Sequence, residues 1–174
     1  MHPIVGGKTL LLMRHAKSDW TGEYGSDHER PLNERGMRSA RLMGRLLEGI
    51  DLTPDLVLTS TATRARETAR LAVEAGTWGC PIIEEPGLYG GSPDSVLELA
   101  SGVVGADRLM LVGHEPVWSS VVGQISSRRI EMKTATVVVV AVPIGSWNHL
   151  GDAQGVVVGV HHPRTYFGTD WDPG

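Results

Sequence analysis

Short runs of Leu, Val, Ile and Met alternate along the chain with stretches whose apolar residues recur every three or four positions. The run TLLLMR at residues 9–14 predicts a first strand, apolar enough to be buried on both faces. PLNERGMRSARLMGRLLEGI then sets Met43, Leu46, Leu47 and Ile50 on one helical face. Asn33 suits its N-cap, Glu34 the positive end of its dipole and Gly49 its exit. DLVLTS predicts a second strand, followed by a helix from about Thr61 with Ala65, Ala69 and Ala72 inward and Gly76 at its end. PIIE reads as a short third strand, and SPDSVLELASGVV as a helix capped by Ser92 with Pro93 in its first turn. RLMLVG is a further strand, and Trp118, Val121, Val122 and Ile125 mark the inward face of the next helix. TATVVVVAV and GVVVGV close the pattern as two buried, β-branched strands.

Strands alternating with helices indicate an α/β fold, a three-layer α/β/α sandwich with a mostly parallel central sheet. The expected organisation is a leader over residues 1–8, one domain over 9–161 and a loosely ordered tail over 162–174. A chain of 174 residues can bury a sizeable core in one domain. A formal charge of −4 argues against a nucleic-acid binder. With Cys80 as its one cysteine, the chain forms no internal disulfide and suits a reducing compartment. The first apolar stretch is too short for a secretory signal or a membrane span, so no membrane partner and a cytoplasmic location are expected.

In an open α/β sheet, ligands bind beyond the carboxyl ends of the parallel strands. Arg14 and His15 end the first strand, Ser60 and Arg64 follow the second, and His114 follows RLMLVG. Three strand ends therefore deliver two arginines and two histidines to one edge. Guanidinium groups near helix N-termini suit an anion, and phosphate most of all. A histidine in such a site could be a metal ligand, a general base or a nucleophile. Metal is disfavoured, because arginines repel a divalent cation and no carboxylate joins the pair at ligand spacing; no cofactor is expected. A nucleophilic role needs a neutral ring whose tautomer is fixed by its other nitrogen.

These segments resemble a known family. LMRHAKSDW resembles the signature strand end of the histidine phosphatase superfamily, the phosphoglycerate mutase-like fold. STATRARETA resembles its Ser-x-x-x-Arg-Ala-x-x-Thr element and LVGHEP its second-histidine segment, in the same order. Within it, the short length and SDHERPLNERG are similar to the SixA-type phosphohistidine phosphatases. The resemblance implies a metal-independent phosphatase in which His15 is transiently phosphorylated. It implies Arg14, Arg64 and His114 as the phosphate cradle, with Arg30 and Asp27 at its rim. The implied substrate bears a phosphoryl group, as phosphohistidine on a protein. Larger relatives take their proton donor from an inserted segment. IIEEPGLYGGSPD is short, which leaves Asp27 as the implied acid ahead of Glu84 and Glu85. Ala16 stands where most of the superfamily has glycine.

Two other readings compete: a phosphatase for small phosphoesters, and a non-catalytic phosphate- or phosphoprotein-binding module, which would need no nucleophile. GGKT fails as a phosphate-binding loop, because His2 occupies the position of the required glycine and a strand follows. HHP at 161–163 reads as a surface pair rather than a metal site. Arg66 and Arg70 read as a solvated helix face, as do Arg38, Arg41 and Arg45. Asp19 and Trp20 either border the pocket or fix the loop, and Cys80 reads as structural.

Overall fold

The computed structural model describes residues 6–167. Its six strands are β1 (Lys8–Arg14), β2 (Leu56–Thr59), β3 (Ile82–Glu84), β4 (Arg108–Gly113), β5 (Val137–Val142) and β6 (Val156–His161). They form one sheet in the order β3-β2-β4-β1-β5-β6. The first four run parallel, while β5 and β6 are antiparallel to their neighbours. Between them lie α1 (Glu34–Gly49), α2 (Thr63–Ala75), α3 (Pro93–Ser101) and α4 (Val117–Ser126), with a short α5 (Pro163–Phe167) after β6.

The period of two in each central strand sends alternate side chains to opposite faces. Leu10 and Leu12 of β1 pack with Val96, Trp118 and Val122 from α3 and α4. Leu11 and Met13 pack with Ala40, Met43 and Leu47 of α1 and Ala69 and Ala72 of α2. A strand covered on both faces must be apolar throughout, which is why β1, β4 and β5 read as unbroken runs. The result is the three-layer α/β/α sandwich. Among the described residues, no helix is long and apolar enough to cross a membrane.

Several local expectations shift. Asn33 caps α1 through its side chain, which accepts from the Gly36 amide at 2.8 Å. The left-handed residue after α1 is Asp51 (φ 57°) rather than Gly49, a conformation that Asp tolerates better than most residues. Ile50 lies beyond the helix and is exposed, so it is not part of the inward face. α2 starts at Thr63 rather than Thr61, because Ala62 is still extended. β6 is an edge strand rather than a buried one, with Val156, Val158 and Val160 exposed. A β-branched run alone does not distinguish a central strand from an edge strand.

Within the stretch read as a tail, residues 163–167 form α5; residues 168–174 lie outside the described residues, as do 1–5 of the leader. The His161 ring Nδ1 lies 2.5 Å from the Tyr166 hydroxyl, tying α5 to β6.

α1 and α2 approach closely at Gly44. A Cβ there would lie 2.1 Å from the carbonyl oxygen of Ala72, while the Trp78 indole donates to the Gly44 carbonyl at 3.2 Å. Gly44→Ala is therefore expected to destabilise the fold by about 1–3 kcal/mol, despite the ~1 kcal/mol that alanine gains over glycine in a helix. Urea unfolding measures this, and an unchanged midpoint would show that the helices separate freely.

Candidate active site

Backbone pairing brings the reactive strand ends into one row. Arg14 of β1 stands opposite Gly113 of β4, and Thr59 of β2 opposite Val112. The ladder continues one residue further: the His15 amide donates to the Gly113 carbonyl at 2.9 Å and the Ser60 amide to Val112 at 3.0 Å. After β1 the chain turns to the α1/α2 face, and after adjacent β4 it turns to the α3/α4 face. The two connections part above the sheet edge and leave a crevice, the usual ligand position in such sheets. His15 and His114 flank it, with ring centroids 5.2 Å apart. They share a cavity of about 670 Å³ with Arg14, Arg30 and Arg64.

The His15 ring is buried, with its Nδ1 2.7 Å from the Ala16 carbonyl oxygen. A carbonyl can only accept, so Nδ1 carries the proton and Nε2 keeps its lone pair. Burial, followed by the charges of its neighbours His114, Arg64 and Arg14, outweighs that hydrogen bond and lowers the His15 pKa to about 3. The ring is neutral at neutral pH. Ala16 is itself buried, and its amide donates to the Thr68 hydroxyl, which donates to the Arg64 carbonyl. Alanine in place of glycine is thus accommodated without a positive φ. His114 Nε2 lies 2.8 Å from Ser60 Oγ, and burial followed by the Arg64 charge lowers its pKa to about 4. In the free site, His114 is therefore neutral as well.

Both cradle arginines are oriented by the protein and keep donors in reserve. Arg14 donates to the Met132 carbonyl at 2.9 Å. Arg64, only 5% exposed, donates to the Asp27 backbone carbonyl at 2.7 Å and to its carboxylate at 3.0 Å. The Nε atoms of both arginines are buried without a hydrogen-bond partner among the described residues. Two guanidinium groups held in fixed orientations on the cavity wall suit an incoming anion.

Asp27 joins Arg64 and Arg30, pairing with Arg30 Nη2 at 2.9 Å. Burial acts to raise its pKa, but the hydrogen bond from Arg30 and the charge of Arg64 prevail and hold it at about 2. Such a carboxyl stays ionised at neutral pH and does not suit the role of proton donor expected from the sequence. Arg30 is buried: its nitrogens donate to Asp27 and Ser18, and its guanidinium carbon lies 3.6 Å from the Trp20 ring centre. It lines the cavity and also braces these neighbours. Of the two readings left open for Trp20, the cavity wall is the observed one.

Three neighbours were not singled out from the sequence. The Tyr89 hydroxyl donates to Asp27 at 3.2 Å, and its ring meets His114 and His28 edge-on. His28 contacts the Thr61 hydroxyl at 2.9 Å. Glu115 lines the cavity and accepts from the Ser119 amide and hydroxyl. Tyr89 reaches Asp27 across 62 positions, which no local signal reveals. Glu115 was detectable by its adjacency to His114. Outside the site, Arg66 and Arg70 are exposed and pair with Glu84 and Glu74.

Residues 10–89 match the family model of the histidine phosphatase superfamily (branch 1). An uncharacterized protein from Mycobacterium tuberculosis is 37% identical over 164 residues, covering 87% of this chain and 100% of that protein. Among solved structures, a Nakamurella multipartitia protein provisionally named phosphohistidine phosphatase SixA superposes with a TM-score of 0.80 at 28% identity, covering 93% of this chain and 99% of that one. A similarly named Agrobacterium tumefaciens protein superposes at 0.78 with 24% identity, covering 94% and 100%, and shares the fold.

The lowered histidine values have a consequence for stability. Between the ordinary histidine value of about 6.5 and about 3, the unfolded chain takes up a proton that folded His15 refuses. Stability is then expected to fall as pH falls through that window. His15→Gln should flatten the slope between pH 6.5 and 4.5, above the range where Asp27 contributes. Urea midpoints across that range test this, and equal slopes would show that His15 protonates normally in the fold.

Proposed function

The chain belongs to the histidine phosphatase superfamily, in its SixA-type branch, and we propose that it removes the phosphoryl group from phosphohistidine on a protein, without a metal, through a phosphorylated His15. Membership of the family supports phosphatase activity. The observation that carries the finer reading is the neutral His15 ring, its Nδ1 proton bound to Ala16, in one cavity with the guanidinium groups of Arg14 and Arg64.

In the first step, the His15 Nε2 lone pair forms a bond to phosphorus as the bond to the leaving nitrogen breaks. The leaving imidazole keeps that electron pair and takes a proton from solvent. In the second step, water attacks phosphorus and the bond to His15 breaks. Inorganic phosphate leaves, and the proton lost by the attacking water passes to solvent or to phosphate. Arg14 and Arg64 take up charge on the phosphoryl oxygens, the kind of stabilisation whose loss costs about 10²–10³ in turnover. His114 is positioned by Ser60 to contact the same oxygens.

The leaving-group argument favours a phosphoramidate over an ester. An alkoxide needs a strong acid nearby, and Asp27 is held ionised by Arg30 and Arg64. An imidazole leaves with far less assistance, since it protonates near neutrality. A short segment over 85–92, with one 3-10 turn at Pro86–Leu88, borders the cavity where larger relatives carry an inserted segment. That openness suits a side chain presented by another protein.

His15→Ala is expected to lower turnover by more than about a thousandfold while phosphate still binds. Rapid quenching without acid should trap labelled phosphate on His15 in the unaltered enzyme; label elsewhere, or substantial activity in the variant, would remove the nucleophile. Asp27→Asn should raise KM through the loosened Arg64 and slow O-phosphoserine, whose alkoxide leaving group needs an acid, and a phosphohistidine protein by similar factors. A much larger loss on the ester would restore Asp27 as the acid.

A further inference from the structure

We propose that Trp20, braced by Arg30, determines specificity by contacting the leaving group, and that it selects a flat ring bonded to the phosphoryl group. The inference rests on the phosphatase reading above and deepens it. Single exposed apolar side chains are common and need no explanation; Trp20 differs in three respects.

It stands on the wall of the same cavity as His15, Arg64 and His114 while remaining 71% exposed. Its ring is backed on one face by the Arg30 guanidinium at 3.6 Å, a cation–π contact that leaves the other face free. Finally, the loop carrying it is fixed on both sides. Ser18 bridges to Leu32, and the Asp19 amide donates to the Pro31 carbonyl at 2.9 Å. The Asp19 carboxylate accepts from the Thr21 amide and hydroxyl at 2.8 and 2.7 Å.

Arg30 explains why this arrangement is built. It is 8% exposed, and each of its three nitrogens already donates within the protein, to Asp27 and Ser18. Those three bonds fix the guanidinium plane and leave one N–H on each terminal nitrogen, so the same group that lines the cavity also holds the indole in place. The cavity, at about 670 Å³, has room for a ring beyond the phosphoryl group. A planar imidazole or phenyl ring can stack against a preset indole face, whereas a flexible aliphatic chain gains less from it.

The experiment compares the unaltered enzyme with Trp20→Ala and Trp20→Phe on three substrates: p-nitrophenyl phosphate, a histidine-phosphorylated protein and O-phosphoserine. Inhibition by inorganic phosphate serves as the control. Trp20→Ala should raise KM for the two ring-bearing substrates roughly three- to tenfold and leave kcat, phosphoserine turnover and phosphate inhibition nearly unchanged; Trp20→Phe should recover most of the loss. Equal losses on all substrates, or no change on the ring-bearing ones, would overturn the proposal. If the unaltered enzyme ignores the phosphohistidine protein, the proposed substrate fails. The contrast between p-nitrophenyl phosphate and phosphoserine would then still decide the role of Trp20.

Discussion

The parallel pairing of β1 with β4, in the register that opposes Arg14 to Gly113, is the constraint on which the site depends. It sets the two histidines side by side on strands whose connections leave toward opposite faces. A slip of one residue would exchange the faces of Leu10, Leu11, Leu12 and Met13, which pack into two separate clusters. The hydrophobic core therefore enforces a register that the polar residues could not hold by themselves. The juxtaposition of His15 and His114 is a by-product of a strand buried on both sides.

That geometry collects positive charge and leaves part of it unsatisfied. Among the described residues, two guanidinium Nε atoms are buried without a hydrogen-bond partner, and each such group costs about 1–3 kcal/mol. Burial, with the nearby arginine charges adding to it, keeps both histidines neutral, while Asp27 pairs with Arg64. A phosphoryl group bound as proposed would meet guanidinium groups already fixed in place, so little reorganisation would be needed as charge develops.

Asp27 shows how tertiary contacts change a role that a motif suggests. Its pairing with Arg30 spans three positions and was within reach of sequence reasoning. Its pairing with Arg64 spans 37 positions and adds to the Arg30 hydrogen bond that lowers its pKa. Between two arginines the carboxylate orients Arg64, which is the basis for proposing leaving groups that need little acid. Arg30, expected at the rim, lines the cavity there and also braces Asp27, Ser18 and Trp20.

The chain's apolar periodicity alone determined the order of strands and helices, the Asn33 and Ser92 caps, and the strand ends carrying Arg14, His15, Arg64 and His114. These features are local, set by side-chain alternation and by the amides that a helix start leaves open. Sequence could not distinguish β6 as an edge strand from a buried one, because Val156–His161 is β-branched in either setting. Nor could it give the protonation of His15 and Asp27, or the contact of Tyr89 with His114. Burial and charge separation are properties of three-dimensional neighbours, and only folding brings residues 27, 64, 89 and 114 together.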